Sequence, residues 1–176
     1  MTGKKNGWTF DFGKFYTSVG AELTENNYTW HYGRGYLYTN GPYYHMGLRV
    51  TKALGEQWVL GFQVVNGWNN VEDNNSGKTL GFTTAYTAKS KKWSWLTNSY
   101  VGPEKTGTNK GWKNIYDTVI NFSPTDKWTG YIDYYHGWGK PLRGGQQRQL
   151  ARSELGCDRR LLEVHHQRPD LPCGAL

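Results

Sequence analysis

The sequence predicts an all-β protein, an antiparallel up-and-down transmembrane β-barrel present as about seven strands of a larger barrel. Three observations predict it. Trp58, Trp93 and Trp128 recur every 35 residues, each after a short polar turn and each opening a run of alternating apolar and polar residues. One β-hairpin unit used repeatedly gives that pattern. The runs are about 10 residues long, which a tilted strand needs to cross a bilayer, whereas soluble strands average about 5–6. The connections alternate between short turns and long polar loops, as they do at the two rims of a membrane barrel.

The composition agrees with that class. Aromatic residues make up 16% of the chain, with 13 Tyr and 9 Trp, while only 36% of residues are hydrophobic and glycines number 23. No apolar run approaches the roughly 20 residues of a membrane helix. A mean hydropathy of −0.79 still suits a barrel, because its strands interleave lipid-facing residues with polar ones. The net charge of +7 would fit nucleic acid, but the lysines sit in turns and loops rather than along a helical stripe, so no nucleic-acid partner is expected.

The first strand is read as Trp8–Tyr16, with Trp8, Phe10 and Phe12 on one face and Thr9 and Asp11 on the other. An irregular aromatic stretch, 22–41, follows. The second strand, 43–53, sets Tyr44, Met46, Leu48 and Val50 against His45, Gly47, Arg49 and Thr51. The third, 58–68, sets Trp58, Leu60, Phe62 and Val64 against Gly61 and Gln63. The fourth, 79–88, sets Leu80, Phe82 and Tyr86 against Gly81, Thr83 and Thr87. The fifth, 93–102, is mixed, because Thr97 and Ser99 share a face with Trp93, Trp95 and Val101. The sixth, 112–122, sets Tyr116, Thr118, Ile120 and Phe122 against Lys113, Asp117 and Asn121. The seventh, 128–137, sets Trp128, Ile132 and Tyr134 against Thr129, Tyr131, Asp133 and Tyr135. The long loops are 69–78 and 103–111.

Two domains of unlike character are expected, 1–142 as the barrel part and 143–176 as an aberrant or disordered tail. All 28 aromatic residues lie at or before Trp138 and all 13 lysines at or before Lys140, whereas the last 34 residues hold Cys157, Cys173 and six of the eight arginines. A further repeat would place an aromatic near position 163, where Glu163 stands. A translation-frame shift would account for the switch. Read one nucleotide forward, 159–167 is compatible with another alternating strand, and in that case the two cysteines carry no redox meaning and His165-His166 is no metal site. The nucleotide sequence decides this, since a shifted frame without a barrel-like reading would refute it. The start of the chain lacks an apolar export segment, so an exported protein would have its true N-terminus elsewhere.

Three stretches resemble one family. Phe12-Gly-Lys-Phe-Tyr-Thr-Ser-Val-Gly-Ala-Glu22, then Tyr32-Gly-Arg-Gly-Tyr36 with Gly41-Pro-Tyr-Tyr-His-Met-Gly-Leu-Arg49, and above all Val65-Asn-Gly-Trp-Asn-Asn-Val-Glu-Asp-Asn-Asn75 with Lys78-Thr79 are similar to segments of the outer-membrane β-barrel porins of the OmpL-like type. The likeness covers about residues 7–137. It implies a Gram-negative outer-membrane channel and names no substrate.

The alternation turns His45, Arg49, Gln63, Asp117, Asn121 and Asp133 inward as pore-lining residues. Lys14, Glu22 and Arg34 lie in or beside the irregular segment, where an inward-folded loop would narrow the pore. Trp58, Trp93 and Trp128 form the rim girdle, on the short-turn side. The expected partners are outer-membrane lipid and small polar solutes or ions, and a homo-oligomer is compatible with the pattern. No nucleophile motif, phosphate loop or zinc spacing occurs, so no enzyme, cofactor or metal site is expected. The Asn69–Asn75 loop offers oxygen ligands without EF-hand spacing. Two other functions compete with passive diffusion. A soluble aromatic-rich β-sandwich that binds carbohydrate would bury both apolar faces in one core. A non-porous outer-membrane barrel would act as an adhesin or anchor.

Overall fold

A computed structural model describes residues 2–5, 7–25, 33–125, 127–139 and 161–167. They form nine strands, β1 (Thr2–Lys5), β2 (Trp8–Tyr16), β3 (Tyr44–Leu54), β4 (Trp58–Val65), β5 (Thr79–Thr87), β6 (Trp93–Pro103), β7 (Trp112–Thr125), β8 (Trp128–Gly139) and β9 (Leu161–Gln167), with one short helix, α1 (Tyr36–Asn40). The strands pair in chain order, β1 to β9, in a single antiparallel meander. This open sheet carries the predicted all-β, part-barrel architecture. The sandwich alternative is overturned, because no second sheet among the described residues covers the apolar face.

That face is inside out by the standard of a soluble protein. Trp8, Phe10, Phe12, Leu48, Trp58, Leu60, Phe62, Leu80, Phe82, Trp93, Ile120 and Trp128 are exposed, while His45, Gln63, Thr79, Asn98, Asp117 and Asp133 are buried. Both sets follow from the two-residue period, since neighbours along a strand point to opposite faces. Cross-strand register keeps the faces aligned, with Phe62 opposite Phe82 and Gln63 opposite Gly81.

The seven body strands match the sequence reading to within three residues, with the largest differences at the ends of β4, which is shorter, and β7, which runs on to Thr125. The third predicted strand ran to Trp68, whereas β4 ends at Val65. There the chain turns to pair with β3 at different points, with Asn66 N–H on the Met46 carbonyl (2.9 Å) and Asn69 N–H on the Tyr44 carbonyl (3.1 Å). The Asn69 side chain then accepts from the backbone N–H groups of Tyr43 and Tyr44. A side chain that satisfies two backbone donors competes directly with the ladder. Beyond the body, β9 pairs with β8 from Thr129 opposite Gln167 to Tyr135 opposite Leu161.

The mixed face of β6 has a physical explanation. The Thr97 hydroxyl donates to the Asp117 carbonyl (2.7 Å), Ser99 to the Ile115 carbonyl (3.2 Å) and Thr118 to the Leu96 carbonyl (3.3 Å). The Trp95 indole N–H donates to the Thr118 hydroxyl (2.7 Å). The outward polar groups are thus spent on neighbouring strands, which an apolar surrounding demands.

Trp8, Trp58, Trp93 and Trp128 open β2, β4, β6 and β8, all on the apolar face. Tyr86 joins the run, with ring centroids 4.6 Å from Trp58 and 5.1 Å from Trp93. Tyr16, Trp112 and Trp138 stand exposed at the opposite ends of their strands. Trp128 and Trp138 are 10 residues apart on β8, a span of about 33 Å along the strand and about 25 Å once tilted by the usual ~40°.

Thr118→Val is expected to lower stability by about 1–3 kcal/mol, because it strands the Trp95 indole N–H on an apolar face. The midpoint of urea unfolding in detergent checks it.

Candidate functional site: a segment folded across the polar face

After Tyr16 the apolar alternation breaks into Thr17-Ser-Val-Gly-Ala21, and the chain leaves the sheet. Small residues let it lie flat, and it crosses the polar face from β3 to β8. The Thr17 hydroxyl lies 3.2 Å from His45 Nε2 on β3, and the Ser18 hydroxyl 3.4 Å from Gln63 Nε2 on β4, 3.5 Å from Thr83 Oγ1 on β5 and 3.2 Å from the Tyr100 hydroxyl on β6. Asn98 Nδ2 donates to the Ser18 carbonyl at 2.6 Å. The Gly20 N–H reaches Asp117 on β7, and the Ala21 N–H donates to Asp133 Oδ2 on β8 at 2.9 Å. One pentapeptide therefore ties six strands. Val19 anchors it in a small apolar cluster of Tyr100, Ile115 and Tyr135, with Trp68 packed alongside.

The sheet residues beneath the segment are tied to one another. Tyr100 donates to Gln63 Oε1 (2.9 Å) and stacks on His45 at a centroid distance of 4.5 Å. Thr83 donates to Asn98 Oδ1, and Asn98 donates to Asp117 Oδ2, both at 2.9 Å. The side chains of Asp117 and Asp133 meet. Space for the Tyr100 ring is made by Gly81, where a Cβ would come within 2.6 Å of it.

The residues singled out from the sequence separate into three groups. His45, Gln63, Asp117 and Asp133 are brought together under the inner segment. Arg49 lies on the same face, but it pairs with Asp11 (2.8 Å) and lies over the Phe15 ring. Asn121 shares the face near the short turns, exposed, and donates weakly to Ser94 Oγ at 3.5 Å.

Of the expected constriction residues, Glu22 and Arg34 lie in the irregular stretch and Lys14 does not. Lys14 is a correction: it stands in β2 on the apolar face, not in a loop, with its ammonium 3.9 Å from the Tyr44 ring centroid. Glu22 and Arg34 clasp together the two described ends of the irregular stretch, 22–25 and 33–35. The Glu22 carboxylate accepts from the Gly35 N–H, and the Arg34 guanidinium donates to the carbonyls of Leu23 (2.5 Å) and Thr24 (2.8 Å). Part of that stretch, 26–32, lies outside the described residues. The clasp borders a cavity of about 270 Å³ lined by Glu22, Glu25, Tyr38, Asp133 and Tyr135 among others.

Sequence reasoning missed Thr17, Ser18, Val19, Asn98 and Tyr100. The usable signal was the loss of period two after Tyr16. It also missed Glu104, which joins the two long loops. Glu104 Oε2 accepts from the Trp68 N–H (2.7 Å) and Oε1 from the Thr79 hydroxyl (2.6 Å). At Gly67 a side chain would strike that carboxylate at 2.7 Å, and φ of +119° favours glycine there as well. Asn74 donates to Thr106 and Asn109 to Ser76 across the same junction. Burial pushes the Glu104 carboxyl above its ordinary range, although the bonds from Thr79 and Trp68 pull it back down. A raised value in the folded state means its contribution to stability is full below the ordinary carboxylate range and fades as pH rises through the raised value.

Two expectations follow. Gly81→Val drives a side chain into the Tyr100 ring and lowers stability by about 1–3 kcal/mol, with weaker amide protection at Ser18 and Val19 in hydrogen exchange. Glu104→Gln flattens the gain in unfolding midpoint on mild acidification, and denaturation measured across pH checks it.

No curated protein and no solved structure matches the chain. A family model described as "Putative beta-barrel porin-2, OmpL-like" matches residues 1–152. With that match over most of its length, the chain belongs to the OmpL-like family of β-barrel porins.

Proposed function

We propose that this chain forms wall and constriction of a water-filled channel in the outer membrane of a Gram-negative envelope, through which small polar solutes and ions diffuse passively. The observation that carries the reading is the inverted sheet, with aromatic and aliphatic side chains exposed and His45, Gln63, Asn98, Asp117 and Asp133 buried on the other face. In water such a sheet would expose its apolar residues at a prohibitive cost. In a bilayer the same residues are solvated by hydrocarbon, and the polar face lines a lumen. Two aromatic rims about 25 Å apart fit the apolar band of a membrane barrel.

The mechanism requires no chemical step. Solutes are sorted by size and charge at the narrowest hydrated section. The segment Thr17–Ala21 narrows that section because it lies on the polar face and is held by six strands. It is fastened by hydrogen bonds and by one valine, so its position depends on a few partners.

Planar bilayer recordings test both parts. Reconstituted as a closed barrel, the protein is expected to give discrete conductance steps. Asn98→Ala with Gln63→Ala, which removes the donors to Ser18, is expected to raise the unit conductance or its noise. Insertion without any conductance would refute the channel and favour an anchor.

A further inference from the structure

Glu104 and Val19 lie at the two ends of one chain of hydrogen bonds. Both halves of a single peptide unit take part in it. The N–H of the Gly67–Trp68 peptide donates to Glu104 Oε2 at 2.7 Å, and the carbonyl oxygen of the same peptide lies 3.0 Å from His45 Nδ1. A carbonyl only accepts, so His45 carries its proton on Nδ1, and in the neutral imidazole Nε2 is then an acceptor. The Thr17 hydroxyl, 3.2 Å from Nε2, donates to it, and Thr17 Oγ in turn accepts the Val19 N–H at 3.2 Å.

All four bonds point the same way. Val19 donates to Thr17, Thr17 to His45, His45 to the Gly67–Trp68 peptide and that peptide to Glu104. Head-to-tail order lets each bond polarise the one behind it, and a carboxylate as last acceptor strengthens the set. The surroundings hold the members in place. His45 is fully buried and stacks on Tyr100 at a centroid distance of 4.5 Å. Gly67 lets the carboxylate close in, because a Cβ there would come within 2.7 Å of Glu104 Oε2. The Trp68 ring packs against the apolar cluster that contains Val19, with the Lys113 ammonium 4.4 Å from its centroid. The relay and the packing therefore converge on the same valine.

We infer that Glu104 is a positioning residue for the constriction, fixing the inner segment Thr17–Ala21 from the junction of the two long loops through the Gly67–Trp68 peptide and His45. The consequence for conductance rests on the channel reading above, whereas the relay itself does not.

The test uses the full chain with 15N-labelled histidine in detergent micelles, and the same variants in planar bilayers. Wild-type His45 is expected to show the Nδ1–H tautomer in its ring nitrogen shifts. Glu104→Ala is expected to move those shifts, to raise amide exchange at Val19 roughly fivefold, the equivalent of one hydrogen bond, and to add noise to the open-channel current. Glu104→Gln keeps an acceptor oxygen for the Trp68 N–H and is expected to restore the shifts and most of the protection. Asn74→Ala with Asn109→Ala cuts other bonds between the two loops and is expected to leave His45 unchanged. A wild-type His45 protonated on Nε2 overturns the inference without any variant. So do His45 shifts and Val19 exchange indifferent to Glu104→Ala, or moved as far by the Asn74 and Asn109 pair. If the spectra respond as expected while even the wild type fails to conduct, the positioning of the segment by Glu104 stands and the channel reading falls.

Discussion

Backbone amides in hydrocarbon must all be hydrogen-bonded, because no water is present to substitute for a missing partner. A long antiparallel meander meets that demand for its inner strands, the two edge strands β1 and β9 needing a closed barrel to meet it, and most features of this molecule follow from it. The period of two is enforced throughout, since one slipped residue would turn a whole strand's apolar set inward. The same demand explains why Thr97, Ser99 and Thr118 are tolerated on the apolar face. Each hydroxyl is spent on a carbonyl of the next strand, and Thr118 also takes the indole proton of Trp95.

The polar face poses the opposite problem. A curved sheet with buried carboxylates, amides and an imidazole needs partners for all of them. Thr17–Ala21 supplies hydroxyls, N–H groups and a carbonyl to six strands, and Val19 adds apolar contact with Tyr100, Ile115 and Tyr135. Such a network fixes one position only while its members are satisfied. That makes the segment the filling of the interior.

Much of the sheet was legible in the sequence because alternation is a local property. Trp58 to Val65 reads as a strand from its own residues, and its inward Gln63 follows. The end of β4 did not, since it depends on Asn69 reaching the Tyr43 and Tyr44 amides from outside the strand. Four of the inward polar residues were found by parity, but their meeting point was invisible, being made by a segment that has no period. Tyr100 is instructive: it reads as one more aromatic, yet Gly81 on the next strand makes room for its ring and His45 stacks on it. Lys14 was grouped with the irregular segment although it falls inside the predicted first strand, and its even parity with Trp8, Phe10 and Phe12 already turned it outward, where it lies over the Tyr44 ring. Glu104 had no sequence signal, because its role exists only once two loops meet.

The central claim is that alternate residues of each strand face lipid and lumen. Site-directed spin labels placed one at a time at positions 116–121 of β7, in the bilayer-reconstituted protein, test it directly. Collisions with oxygen, which dissolves in hydrocarbon, are predicted to peak at Tyr116, Thr118 and Ile120 and to fall at Asp117, Val119 and Asn121. A profile without a two-residue period, or one peaking at 117, 119 and 121, would contradict the account.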